Sequence, residues 1–89
     1  MMTKYSTKDF YLSAYLLALG HRLANHKRED GITLFEFDDT KELDDNVSEY
    51  YSLTASVNPV SYGNSIRTLK TILHSNENEH TTKSNRTAD

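Results

Sequence analysis

The pattern of hydrophobic and polar residues places one strongly apolar segment near the start of the chain. Between residues 10 and 19 the only polar residue is Ser13, which predicts a helix buried between other elements. The segment is too short to span a membrane, which needs about 20 apolar residues. Ser6 and Asp9 match a capping box before it, and Gly20 suits a left-handed cap after it. This helix is predicted to form the centre of the fold.

Two strands are predicted after the helix. Residues 21–28 alternate as a half-buried or edge strand, with odd-numbered residues on one side and even-numbered residues on the other. Residues 32–38, ITLFEFD, are β-branched and aromatic, as is typical of strands. The Asp-Gly pair at 30–31 predicts a hairpin turn between them. Both sides of the second strand carry apolar side chains, so both are expected to be covered.

Two amphipathic helices are predicted in the second half of the chain. Residues 38–40, DDT, offer N-caps for one of them, and Asn58 followed by Pro59 begins the other, which runs to about His74. Between them, residues 53–57 form either a linker or a short strand. The buried stripes are predicted at Leu43, Val47, Tyr50 and Tyr51, and at Tyr62, Ile66, Leu69 and Leu73.

The order of these elements predicts an α+β fold. A short strand at residues 4–6 completes a β-hairpin with three helices, in the order β-α-β-β-α-(β)-α. If residues 53–57 pair as a strand, the order is that of a ferredoxin-like split βαβ fold. Residues 1–74 are predicted to form a single domain. Residues 75–89 contain almost no apolar residue and are predicted to be a disordered tail.

Length and composition limit the possible classes of protein. The chain has 89 residues and no cysteine, so a disulfide framework and a thiolate metal site are excluded. A domain of this size without cross-links is marginal as a monomer, which favours a homodimer or larger oligomer. The start of the chain does not resemble a secretory signal, so a cytoplasmic protein that does not enter the membrane is expected.

The sequence offers no pattern typical of an enzyme or a metalloprotein. The four histidines lack metal-ligand spacing, and no nucleophile motif or glycine-rich phosphate loop is present. Paired carboxylates occur, but on a solvated helix face, where nothing raises a carboxyl pKa for acid–base catalysis. We therefore expect no catalytic residues, no metal and no cofactor.

The charges are distributed unevenly along the chain. The net charge is −3, but residues 1–28 carry +4, residues 29–50 carry −8 and residues 51–89 carry +1. The basic residues suggest a nucleic-acid surface, although they are equally typical of a solvated stripe, and a net acidic chain argues against tight phosphate binding. The nucleic-acid-binding candidates are Lys4, Lys8, Arg22, Asn64, Arg67, Lys70 and His74.

Aromatic and acidic residues offer other possible binding surfaces. Phe35 and Phe37 resemble the aromatic pair of RNA-recognition sheets, but packing in the core is the better interpretation. Six tyrosines are many for so small a domain, and they suit either the edge of the core or an interface. The protein-interaction candidates are Asp38, Asp39, Glu42, Asp45, Glu49 and Tyr50.

The segment YSTKDFYLSAYLLALGHRL, residues 5–23, resembles the opening of a family of small domains in bacterial and phage-related proteins. The resemblance continues through FEFDD at 35–39, the tyrosine pair at 50–51, VNP at 57–59 and RTLK at 67–70. It covers about residues 4–74. It implies a bacterial or mobile-element setting and carries over no catalytic or binding residue, because the family has no assigned function.

Together these features predict a small noncatalytic binding module of bacterial or phage origin that acts on nucleic acid or on a nucleic-acid-processing protein. The alternative is a homo-oligomeric or inhibitory protein-interaction domain that uses its acidic second helix. The position of the bases distinguishes the two. One joined basic patch favours nucleic acid, whereas scattered bases favour a protein partner.

Overall fold

The computed structural model describes residues 3–81 of the chain, and the side chains of residues 3–74. Three strands form one antiparallel sheet, and three helices accompany it. The predicted α+β class and the order of the elements are confirmed. The elements are β1 (Lys4–Thr7), α1 (Phe10–Ala18), β2 (Leu23–Glu29), β3 (Ile32–Asp38), α2 (Lys41–Tyr51) and α3 (Pro59–Thr81).

β3 is the central strand of the sheet. It pairs antiparallel with β1 on one side and with β2 on the other. β1 and β2 therefore run parallel to each other and are joined through α1, which is the split βαβ arrangement. Residues 53–57, the proposed fourth strand, form no strand. The structure thus contains the first three strands of the ferredoxin-like order without the fourth.

Residues 53–57 follow a tight turn at the end of α2. Leu53 has a φ of 64°, and the amides of Leu53 and Thr54 donate to the carbonyls of Tyr50 and Glu49. This pair of hydrogen bonds ends many helices, usually with glycine at the left-handed position. The amides of Leu53 and Thr54 therefore already donate to carbonyls of α2 and are not free to pair with a neighbouring strand.

Most of the predicted turn and capping signals are confirmed. Asp30 and Gly31 both have positive φ, as a two-residue type I′ hairpin turn requires. Thr40 and Asn58 accept backbone amides in the first turns of α2 and α3. Gly20, with a φ of 103°, provides the left-handed cap after α1. These local choices set the directions in which the chain enters and leaves each helix.

The predicted capping box at the start of α1 is wrong. Ser6 lies in β1 opposite Glu36, and its hydroxyl points to that carboxylate. Asp9 is itself the N-cap, because its carboxylate accepts the amide of Leu12 while its own amide donates to the hydroxyl of Thr7. β1 continues through Thr7, so a helix cannot begin directly after Ser6, and the cap lies at Asp9 instead.

One hydrophobic core joins the helices to the sheet. Residues 12–16 of α1 are all buried, as predicted, whereas Tyr11 is exposed. Phe35 and Phe37 lie on one side of β3 and are buried, so this aromatic pair belongs to the core and cannot stack on bases. The buried apolar residues are Leu12, Ala14, Tyr15, Leu16, Phe35, Phe37, Leu43 and Leu69.

The opposite face of the sheet carries a mixture of apolar and charged side chains. Ile32 on this face is 45% exposed, so the expectation that both faces of β3 are covered does not hold there. On the same face, the largely buried carboxylate of Glu36 lies 3.5 Å from the ammonium of Lys27. This face is therefore partly polar and partly apolar.

β2 departs from simple alternation at its first residues. Leu23 pairs with Phe37, but Asn25 pairs with Glu36, so a bulge at Ala24 lies between them. The extra residue puts Leu23 on the core side and Asn25 on the open side, whereas alternation predicts the same side for both. The bulge allows the one large apolar residue of β2 to reach the core.

α3 ends later than the pattern predicts. It continues to Thr81 rather than ending near His74, because no proline or glycine after Gly63 interrupts its hydrogen bonds. Residues 82–89 lie outside the described residues, and the division into a domain and a disordered tail stays a prediction. Within residues 3–81 no helix combines the length and the hydrophobicity needed to cross a bilayer.

Candidate interaction surface

The predicted basic residues lie in three separate places. On the outer side of α3 lie the exposed residues Asn64, Arg67, Lys70 and His74. Lys4 lies in β1, with its ammonium 2.8 Å from the carboxylate of Asp38. This hydrogen bond lowers the pKa of the Asp38 carboxyl, and the charge of Arg22 adds to the effect. Lys8 instead lines a cleft beside Leu73 of α3. The charges of Lys4 and Arg22 are thus partly neutralised by the acid at the end of β3.

The predicted acidic residues also divide into groups. Three are exposed on α2, namely Glu42, Asp45 and Glu49. Asp38 belongs to the sheet, where it is paired with Lys4. Asp39 lies close to Asp44, and the contact between the two carboxyl groups raises the pKa of Asp44. α2 therefore presents the predicted acidic side, but Asp38 is not part of it.

Tyrosines gather around Asp9, where the starts of α1 and α3 meet the end of α2. The hydroxyl of Tyr51 donates to Oδ2 of Asp9 at 2.8 Å, while Oδ1 of Asp9 accepts the amide of Leu12. The ring of Tyr50 lies 5.2 Å from that of Tyr51 and 5.5 Å from that of Tyr15, measured between centroids. The tyrosine cluster is defined as Asp9, Tyr11, Tyr50, Tyr51 and Tyr62.

The hydroxyl groups of Tyr50, Tyr51 and Tyr62 are held in their protonated form. The hydrogen bond to Asp9 raises the pKa of Tyr51 from 10.0 to about 12. Burial is the main reason why the pKa values of Tyr50 and Tyr62 are also raised, and the charge of Asp9 adds to both. A general base at neutral pH needs a pKa near the working pH. The cluster is therefore suited to donating hydrogen bonds and to contact through its rings.

We expect the protein to lose stability in alkaline solution. Because the pKa of Tyr51 is raised in the folded state, its contribution to the free energy of unfolding is complete below pH 10.0 and is lost as the pH rises towards about 12. The melting temperature, measured from neutral pH to about pH 12, should fall most steeply in that window. Tyr51→Phe lacks the titrating group, so its melting temperature should fall less over the same range. Parallel curves for the two proteins would contradict this assignment.

Two large apolar side chains, each two residues along the chain from a tyrosine of the cluster, are exposed, and so are two rings of the cluster itself. Leu53 is 90% exposed and Val60 is 70% exposed, and the rings of Tyr11 and Tyr51 are more than half exposed. Leu53 also has a left-handed backbone, which costs about 1–2 kcal/mol for a residue with a Cβ atom. Neither packing nor turn chemistry favours leucine at such a position. The candidate interaction surface is defined as Tyr11, Tyr51, Leu53 and Val60.

Two residues of this region could not be identified from the sequence as parts of a surface. The sequence assigns Asp9 only to a helix cap, but its second contact is with Tyr51, which is 42 positions away. The sequence places Leu53 in a linker or strand. The only signal for its actual position is that it stands where a glycine normally ends a helix. The tyrosines, which suit either the core edge or an interface, occupy both positions here.

His21 lies in the loop after α1, and His26 lies in β2. Nε2 of His21 lies 2.7 Å from Oδ1 of Asn46 and links the loop after α1 to α2. His26 is paired with Phe35 in the sheet, and its buried Nδ1 has no hydrogen-bond partner among the described residues. Within the part of the chain that the structure describes, no three His, Asp or Glu side chains are arranged to hold a metal ion.

Comparison with known proteins places the chain in one family. The family model described as "Domain of unknown function (DUF5659)" matches residues 2–75. No curated protein and no solved structure matches the chain. The predicted membership of a family without assigned function is confirmed. Whether the opening motif at residues 5–23 carries the likeness stays a prediction.

Proposed function

The chain belongs to the family of domains of unknown function DUF5659, and from this premise we propose that it is a noncatalytic protein-interaction module. Its partner is a protein that offers apolar and basic side chains to the candidate interaction surface and to the acidic side of α2. The observation that carries the proposal is Leu53, an apolar side chain held 90% exposed on a strained backbone. A contact with a partner accounts for both its exposure and its strain.

The tyrosines support a protein partner in particular. The Asp9 carboxylate fixes the hydroxyl of Tyr51, so its exposed ring is presented in one orientation and loses little freedom on binding. Tyrosine is enriched among the residues that dominate binding energies at protein interfaces. A tyrosine ring beside a carboxylate also attracts arginine and lysine side chains. We infer that the partner is basic rather than acidic.

A second candidate partner is nucleic acid. It is favoured by Arg67 and Lys70, which lie exposed on α3 and form no ion pair with another described side chain. The pairing of Lys4 with Asp38 and the net charge of −3 argue against it. The distribution of the bases over three places therefore favours protein over nucleic acid. A bacterial or mobile-element setting and self-association stay predictions.

Leu53→Gly is expected to separate binding from folding. Glycine accepts the left-handed backbone, so the variant should be as stable as the parent or more stable by up to about 1 kcal/mol. It should nevertheless lose the partner protein that the parent captures from a lysate of the source organism. Thermal melting and nuclease-treated pull-downs of parent and variant measure the two effects. Ile32→Thr removes an exposed apolar side chain from the open face of the sheet and should capture the partner as the parent does.

Other outcomes decide against the proposal. If Leu53→Gly captures the same protein as the parent, the candidate interaction surface does not form the contact. If capture depends on nucleic acid and is lost in an Arg67→Ala, Lys70→Ala double variant, the second candidate is correct. If the captured protein is another copy of this chain, the interaction is self-association. Parent protein at about 100 µM should then sediment as a dimer or larger species, because an interface of about 1,000 Å² or more persists at that concentration.

A further inference from the structure

A cleft at the hairpin end of the sheet shares no residue with the candidate interaction surface. Its volume is about 270 Å³, and it lies between the β2–β3 turn, the start of α1 and the second half of α3. Three residues line it with polar groups, four others form its apolar walls, and Gly31 completes the lining. The polar residues are Lys8, Arg28 and Thr33, and the apolar residues are Phe10, Ile32, Phe35 and Leu73.

Among the side chains of residues 3–74, the charged groups that line this cleft are all positive. No acidic residue lines it, and neither Lys8 nor Arg28 forms an ion pair with any other side chain of residues 3–74. Arg28 pairs with Thr33 across the hairpin, which places both on the core side of the sheet. Glu29 and Asp30 line a separate depression of about 170 Å³, which Lys8 also borders. The cleft itself therefore combines two cationic groups with an apolar wall.

We propose that this cleft binds a small organic anion, namely a carboxylate on a short apolar body. The guanidinium of Arg28 matches a carboxylate with two parallel N–H donors, and the ammonium of Lys8 adds a second charge-assisted contact. The apolar body lies against Phe10 and Leu73. The cleft is slightly smaller than the pockets of about 300–1,000 Å³ that hold drug-sized ligands, so the body has only a few carbon atoms. This site is independent of the proposed protein partner.

Hexanoate tests the inference directly, with 1-hexanol as the probe without charge and acetate as the probe without an apolar body. Amide NMR spectra of the full chain, recorded during titration, should show shifts centred on Lys8, Phe10, Arg28 and Leu73 for hexanoate. Both other probes should bind more weakly. Arg28→Gln should weaken hexanoate binding by at least about tenfold, because it removes charge-assisted hydrogen bonds. Arg67→Gln removes an exposed arginine elsewhere and should bind hexanoate as the parent does.

The same titrations contain the results that overturn the inference. Equal binding of 1-hexanol shows that the cationic groups take no part, and equal binding of acetate shows that the apolar wall takes no part. Equal weakening by Arg28→Gln and Arg67→Gln indicates a general effect of net charge. Absence of shifts around the cleft at saturating hexanoate removes the site. The amide spectrum outside the cleft reports whether each variant keeps its fold.

Discussion

Leu16→Ala is expected to lower the free energy of unfolding by about 2–5 kcal/mol, as removal of a buried leucine side chain does. Leu16 is fully buried in the last turn of α1 and belongs to the core that α1 forms with β3, α2 and α3. A small domain has only about 5–15 kcal/mol in total, and this chain has no disulfide to compensate. Urea denaturation, followed by circular dichroism, should show a much lower midpoint.

The neighbouring residue provides the matched control for this change. Leu17 is only partly buried, so Leu17→Ala should cost clearly less than Leu16→Ala although the same atoms are removed. The sequence alone treats the two leucines as equivalent. Equal losses would show that α1 is packed on all sides, and no loss for Leu16→Ala would show that α1 is not the centre of the fold.

Asp9→Ala is expected to cost about 2 kcal/mol. Loss of an aspartate N-cap typically costs about 1 kcal/mol, and loss of a hydrogen bond to a charged group costs about as much again. The change leaves the amide of Leu12 and the hydroxyl of Tyr51 without their acceptor. Denaturant unfolding measures the stability. The chain has six tyrosines, so the pKa of Tyr51 is measured as the difference in tyrosinate absorbance between each protein and the same protein with Tyr51→Phe during alkaline titration.

Asp9→Asn distinguishes the two roles of the aspartate. Asparagine caps helices about as well as aspartate, so most of the stability should return. The negative charge does not return, and the pKa of Tyr51 should therefore fall from about 12 towards 10.0. If Asp9→Asn is as unstable as Asp9→Ala, the cap contributes little. If the pKa of Tyr51 does not change, Asp9 is not the group that raises it.

Local chemistry explains which features were predictable. A type I′ turn needs two residues that tolerate positive φ, and the Asp-Gly pair at 30–31 is a strong signal for it. Thr40, Asn58 and Gly20 act within a few residues of their own position, so their roles follow from neighbouring positions. The period of the apolar residues likewise determines the buried side of α3, where Leu69 is the centre of its stripe.

Competition between distant parts of the chain explains the wrong assignments. Ser6 has the right spacing for a cap, but its pairing with Glu36 in the sheet involves the same stretch of backbone. The bulge at Ala24 exists because Leu23 reaches the core only if the alternation is interrupted. Both outcomes depend on pairing with β3. The spacing of neighbouring residues does not tell which residues of β3 lie opposite Ser6 and Leu23.

The candidate surfaces show the same division. The sequence by itself determined which side chains have the chemistry to bind a partner, because the charge and the aromatic character of a side chain depend only on the residue type at its position. Only the tertiary structure decided which of them meet. It brings Tyr51 to Asp9 across 42 positions, pairs Lys4 with Asp38, and joins Lys8 and Arg28 in one cleft. The physical reason is that hydrogen bonds and ion pairs act over a few ångströms, and packing of the helices on the sheet sets those distances.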